Sequence, residues 1–196
     1  MSKFGPSRHP GELEVAVEKA LRKWMPMNVK RMEEVGGKKL KPIQSVSIVS
    51  DYAKFPELAL PALIIESAGI VNGSIEEDGE GNLSATFSVS VFSMVQGKDA
   101  VATRDLAFGY WWPIAASLMQ HRKLDEGIWV KDFVDSGFAG ANVEQRRSRI
   151  AVEHVFNVTL DNFLNVGEGP TEPEPEDTSG DWAKVESTEV EVQKES

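Results

Sequence analysis

Between residues 12 and 24, the apolar positions Leu13, Val17, Ala20, Leu21 and Trp24 recur at the three- and four-residue spacing of one helix face, while Glu12, Glu14, Glu18, Lys19, Arg22 and Lys23 take the other. The acids come early and the bases late, as the helix dipole favours. Pro10-Gly11 sets the start, and Pro26 is expected to end the helix, since a prolyl ring lacks the backbone donor and crowds the preceding turn. Residues 30–41 carry Gly36-Gly37 and many charges and read as an exposed loop. A short strand follows over residues 46–50, where Val46, Ile48 and their serine neighbours alternate.

The unbroken apolar run Ala62-Leu63-Ile64-Ile65 predicts a strand covered on both faces. Residues 76–82 form an acidic turn with Gly79 and Gly81, after which Leu83, Ala85, Phe87, Val89 and Val91 alternate with Ser84, Thr86, Ser88 and Ser90. One face of that strand must be buried. At Phe92 and Met94 the apolar parity switches, which predicts either a bulge or a second apolar contact surface. Asp99 is placed to cap a helix running to about Gln120, with Val101, Phe108, Trp112, Ala115 and Met119 on one side, widened by Leu106, Tyr110, Trp111, Ile114 and Leu118, and with a kink at Pro113. Residues 128–135 then read as a strand, 136–142 as a Gly-rich loop, and 150–160 as a last long strand with Ile150, Val152, His154, Phe156, Val158 and Leu160 on one face.

These elements predict an α+β fold: a single domain over residues 11–166 with an antiparallel or mixed β-sheet packed by two helices, preceded by an arm over residues 1–10. Composition separates off the end of the chain. Of the net charge of −10, the last thirty residues carry −8, from ten acids against two bases, which leaves the body nearly neutral. Residues 167–196, rich in Pro, Glu and Gly, are therefore expected to be a disordered acidic tail, within which Trp182, Val185, Val190 and Val192 are the apolar points. Val190-Glu-Val192 alternates like a strand and suits addition to the edge of another subunit's sheet, set against the plainer reading of a solvated tail.

A neutral body argues against a protein whose main task is gripping duplex phosphates, because that affinity needs clustered Lys and Arg. The chain has no cysteine, so thiol chemistry and cysteine-bound metals are excluded. No run approaches the roughly 18 apolar residues of a membrane-spanning helix, and the first ten residues lack the apolar stretch of a secretory signal, which predicts a soluble protein of a reducing cytoplasm.

Three histidines are the remaining chemistry. His154, mid-strand on the apolar face, reads as a core histidine with satisfied nitrogens rather than a general base. His121, at a helix end near Asp125 and Glu126, admits an acid/base or metal reading beside the plainer one of solvent-facing polar groups. The acidic turn lacks the ligand ladder of a calcium loop, and Gly37-Lys38 and Gly97-Lys98 lack the rest of a phosphate-binding loop. No catalytic residue, cofactor or metal site is therefore predicted. Gln145-Arg146-Arg147-Ser148-Arg149 is the one compact basic cluster, with guanidinium groups suited to clamping a neighbouring chain's carboxylates or simply to solvation.

Several stretches give the chain a family texture. Leu60-Pro-Ala-Leu63 opens an apolar strand, and Ser88-Val-Ser-Val-Phe92 runs through Gly97-Lys-Asp99 into a helix that ends Leu118-Met-Gln-His-Arg122. Arg146-Arg147 and Ala151-Val-Glu-His-Val-Phe-Asn-Val-Thr-Leu160 complete the series. In layout, over residues 11–165, the chain resembles the tail terminator proteins of long-tailed bacteriophages. The resemblance implies an α+β subunit of the virion's head-tail junction that forms a hexameric ring on the finished tail tube and stops its growth. It would offer its other face to a head-side connector or stopper, with DNA passing through the lumen unbound. The long acidic C-terminus departs from a minimal terminator. A head-to-tail connector, another tail-completion protein, a small enzyme and a ligand-binding module stay open as alternatives. Expected interface positions are Phe92 and Met94 at the parity switch, Arg146, Arg147 and Arg149 in the basic cluster, and Trp182, Val190 and Val192 in the tail.

Overall fold

Helix α1 (Gly11–Gly36) begins where Pro10 and Gly11 place it and carries Glu12 and Glu14 in its first turn. It does not end at Pro26. The apolar series Leu21, Met25, Val29 and Met32 continues the stripe beyond the proline. Met25, Asn28 and Val29 are buried, so tertiary packing of the second half overrides the local cost of an interior proline. The expected loop over residues 30–41 is thus helical as far as Gly36. Gly37 stops it in the left-handed region (φ 63°), donating its N–H to the Glu33 carbonyl at 3.1 Å. The protein is described here by a computed structural model, which covers residues 8–37, 39–48, 59–77, 81–144 and 147–165. The acidic tail, with Trp182, Val190 and Val192, lies outside the described residues.

Among the described residues, six strands form one mixed sheet: β1 (Ser45–Ile48), β2 (Ala62–Glu77), β3 (Asn82–Gly97), β4 (Lys123–Asp125), β5 (Ile128–Glu144) and β6 (Arg147–Asn165). Their order is β1-β2-β3-β6-β5-β4, with β1 parallel to β2 and every other pair antiparallel. The α+β class and the mixed sheet predicted above are what the chain forms. All four residues of the run Ala62-Leu63-Ile64-Ile65 are buried, as a strand covered on both faces requires. Beyond it β2 continues to Glu77, through irregularities at Ser67/Gly69 and Ile70/Ile75 that broke the alternation a reader looks for. At the first of these Glu14 of α1 accepts the Ser67 N–H at 2.8 Å. At the second Ser74 Oγ accepts the Thr86 N–H at 3.2 Å.

Helices cover one face of the sheet. Helix α1 lies on β1 and β2, and the expected single second helix is instead two, α2 (Ala100–Gly109) against β3 and β6 and α3 (Trp111–Met119) against β5 and α1. Asp99 caps α2 as expected, its Oδ1 accepting the Ala102 N–H at 2.8 Å. The chain breaks at Tyr110, so that Pro113 falls in the first turn of α3, where its missing N–H costs nothing. Tyr110, Ile114 and Leu118 of the expected stripe are buried, but Val101 and Trp111 point outward at 73% and 44% exposure.

Tyr110 is fully buried and donates its hydroxyl to the Lys41 carbonyl at 2.7 Å, tying the segment before β1 to the α2–α3 joint. Burial pushes its phenol pKa up to about 12 against a smaller opposite effect of that hydrogen bond. Tyr110→Phe should cost about 1–2 kcal/mol by urea unfolding, because it leaves the Lys41 carbonyl without its donor. An unchanged midpoint would show that solvent already satisfies that carbonyl.

Strand β6 is the spine, paired along its length with both β3 and β5. Its alternation is as read: Ile150, Val152, His154, Phe156, Val158 and Leu160 are buried under the helices, while the residues between them stand on the open face. One expectation fails on β5: the Gly-rich stretch 136–142 is strand rather than loop. The three-residue β4, absent from the sequence-based expectations, precedes it. Three irregularities along β5, at Val130/Asp132, Phe133/Asp135 and Phe138/Gly140, let the strand follow β6 despite its uneven pattern.

Candidate assembly surface

The parity switch in β3 is not a bulge, for β3 pairs with β6 in unbroken register from Ala85 to Gly97. What changes is which face carries the apolar group. Ser93 takes the helix-covered face, while Phe92 and Met94 stand half-buried on the opposite face, beside the buried Ala62 and Ile64. Phe92 lies between Ile64 of β2 and Glu153 of β6, and Met94 between Ala62 and Ala151. Two residues further on, Arg149 opposes Gln96 and donates from Nε to its Oε1 at 3.3 Å. Cross-strand neighbours share a face, so Phe92, Met94 and Arg149 form one patch at the β3 C-terminal end of the sheet. The backbone of Arg147 pairs with Glu144, and Arg146 lies outside the described residues.

Elsewhere on this face polar pairs alternate with apolar side chains such as Val155. Thr86 and Thr159 meet through their hydroxyls at 3.1 Å, and Ser90 donates to Glu153 at 2.5 Å. Trp129 donates its indole N–H to Asp161 at 3.2 Å, under the Lys123 ammonium. No helix among the described residues is long and apolar enough to cross a membrane.

Beneath the helices, His154 is sealed at 0% exposure between two serines. Ser93 Oγ lies 3.0 Å from Nε2 and Ser136 Oγ 2.8 Å from Nδ1. Ser93 also reaches the Ala107 carbonyl at 3.2 Å, a partner that can only accept. The network therefore assigns Nε2–H donating to Ser93, Ser93 donating to Ala107, and Ser136 donating to Nδ1. Burial lowers the imidazole pKa to about 4, so the ring is neutral at physiological pH. Both nitrogens are thus satisfied, as expected for a core histidine.

The irregularity at Phe133/Asp135 decides which β5 residue meets this ring. Phe133 opposes Phe156, but Val134 is skipped, so Asp135 opposes Val155 on the open face and Ser136 opposes His154. Without that extra residue, Asp135 would face the histidine and complete a Ser-His-Asp series. The bulge removes the acid that would orient and charge the ring. His121 has other company as well. It stacks on Trp24 with ring centroids 3.7 Å apart, while Asp125 faces Lys19 at 3.9 Å. Among the described residues no group of three or more His, Asp or Glu is disposed to hold a metal ion.

An aromatic surface that the sequence reading missed runs along the helix side of β5. Trp111 stacks near Phe133 (6.2 Å between centroids), which in turn meets buried Phe156 at 5.2 Å. Beside them the Arg104 guanidinium sits over both Phe108 and Phe138, 5.6 and 6.0 Å from their centroids. Phe138 is 52% exposed, and the patch borders an open groove of about 580 Å³ between the end of α1 and α2. Trp111 reads as core because it falls on an apolar helical stripe, and Phe138 as loop because glycines flank it.

Compared with protein-family models and with curated proteins, the chain matches none. What this geometry offers is contact surface: a sheet face that no helix covers among the described residues, and an exposed aromatic cluster of the kind that anchors protein interfaces.

Proposed function

We propose that the protein is a structural subunit of a long-tailed bacteriophage, a tail terminator that acts by assembling with copies of itself into a ring on the tail tube. The ring, a hexamer by the resemblance, would stop tube growth and join the head-side connector, letting DNA pass without specific binding. The observation that carries the reading is the cluster of Trp111, Phe133, Phe138 and Arg104 on a helix-and-strand surface, Trp111 and Phe138 44% and 52% exposed and Phe133 resting on the buried Phe156. Aromatic and arginine side chains in that setting lose most by staying wet and gain most from a partner. The order of helix, strands, helical segment and strands is shared with the layout on which the resemblance rests, except that the helical segment is two helices, the short β4 is added, and residues 136–142 are strand where that layout has a loop.

Imaging of particles made without this protein tests the proposal. Overlong tubes lacking heads are expected, and tubes of normal length joined to heads would overturn it. Native mass measurement of the purified protein, alone and with tube protein, should give a closed multimer in at least one of the two. A strict monomer in both would count against assembly.

A further inference from the structure

The second half of α1 and the segment leading into β1 enclose a groove of about 490 Å³ that belongs to neither the aromatic cluster nor the open sheet face. Its floor is apolar, made by Leu21, Met25, Val29, Leu40, Ile43 and Val46. Among the described lining residues its rim holds three bases, Arg22, Lys30 and Lys39, and one acid, Glu33. Arg22 is held by Glu18 at 2.7 Å and Lys30 faces Glu34 at 3.9 Å, whereas Lys39 and Lys41 have no ion pair among the described residues. The groove also flanks β1, an edge strand with no second neighbour among the described residues.

The chain itself carries a segment of matching chemistry. Residues 167–196 hold ten acids against two bases, and within that string Trp182, Val185, Val190 and Val192 are apolar points spaced by Glu186, Glu189 and Glu191. One large aromatic side chain and an aliphatic neighbour suit a groove of this size, and the intervening carboxylates suit Lys39, which has no ion pair among the described residues. We infer that residues 182–192 of one copy dock in the α1–β1 groove of an adjacent copy, with Trp182 as the anchor.

Placement of the ends allows exchange between copies. Strand β6 leaves the sheet at Asn165, opposite Asn82 at the start of β3, whereas Val46 lies level with Leu63 and Ser93 near the other end. That offset of 11 residues along β3 is roughly 36 Å at strand rise. The 17 residues from Asn165 to Trp182 span at most about 60 Å. That length exceeds the offset, so it allows docking on an adjacent copy as well as on its own. The inference rests on the ring reading only in needing adjacent copies.

The test uses full-length protein with a photoreactive benzoylphenylalanine in place of Gln44, which lines the groove without carrying charge, mixed from natural-abundance and 15N-labelled chains and irradiated under assembling conditions. Cross-links are expected between position 44 and residues 182–192, in isotope-mixed pairs. Trp182→Ala combined with Val190→Asp and Val192→Asp should cut their yield at least fivefold. Cross-links only within one chain overturn exchange between copies, and cross-links elsewhere or nowhere overturn the groove assignment. Native mass of the same sample separates the two claims. Intact rings without tail cross-links count against docking alone, while absence of both rings and mixed pairs counts against docking and ring together.

Discussion

Lowering the pH from 7 to 4 is expected to remove about 3 kcal/mol of stability through His154 alone. In the folded protein this ring stays neutral down to about pH 4, because burial disfavours its charged form. In the unfolded chain it takes up a proton near pH 6.5. Below pH 6.5 the unfolded state therefore binds more protons than the folded one. Stability falls across the window from about 6.5 to about 4 and levels off beneath it, each pH unit of that window costing about 1.4 kcal/mol. Urea unfolding at pH 7, 5.5 and 4 measures the slope. His154→Gln should lose about 1–3 kcal/mol at pH 7, where the bonds to Ser93 and Ser136 are made imperfectly, but should lack this component of the slope. The carboxylates common to both proteins cancel in the difference. Parallel pH profiles for the two would show that His154 is not the group responsible. Ser136→Asp supplies the carboxylate that the β5 bulge turns away, and should narrow the acid loss by favouring the charged ring.

That bulge also illustrates where the sequence is legible and where it is not. Strand β6 could be read residue by residue because each of its side chains faces either the helices or the open side, and the period of two survives intact from Ile150 to Leu160. The first turns of α1, the Asp99 cap and the both-sides burial of residues 62–65 were equally plain, since each follows from local chemistry. The misreadings share a different cause. Pro26 and the glycines of β5 are strong local breakers, and both are overruled by contacts distant in the chain: Asn28 donating to Ser117 at 3.0 Å in one case, the continuous ladder with β6 in the other. The same holds for the candidate surface. Parity alone singled out Phe92 and Met94 but left a bulge and a second apolar surface open; the unbroken register with β6 places them on the face opposite Ser93 and brings Arg149 beside them. Trp111 and Phe138 could not be found that way, because the break at Tyr110 rotates one outward and a strand among glycines carries the other.

Phe156 and Trp111 sit at the two ends of one aromatic series and should respond to truncation in opposite ways. Phe156 is fully buried in the central strand, with Phe133 against its ring. Phe156→Ala opens a cavity where β3, β5 and the helices meet, and should cost about 3–5 kcal/mol, a large share of a typical domain's stability. Thermal or urea unfolding reads that loss directly. A value near 1 kcal/mol would mean that the site collapses around the smaller side chain. Trp111, 44% exposed, has much less to lose in the isolated subunit, and Trp111→Ala should stay within about 1 kcal/mol of the parent. Its effect should appear in assembly instead, as loss of the multimer at concentrations where the parent forms it, because an aromatic anchor at the centre of an interface is worth at least about 2 kcal/mol per contact. In a closed ring that loss repeats at every subunit boundary. A Trp111→Ala protein that is stable, folded and still fully assembled would remove the aromatic cluster from the interface. A stable variant that no longer assembles would separate folding from function at a single side chain, with Phe133 linking the surface to the core that supports it.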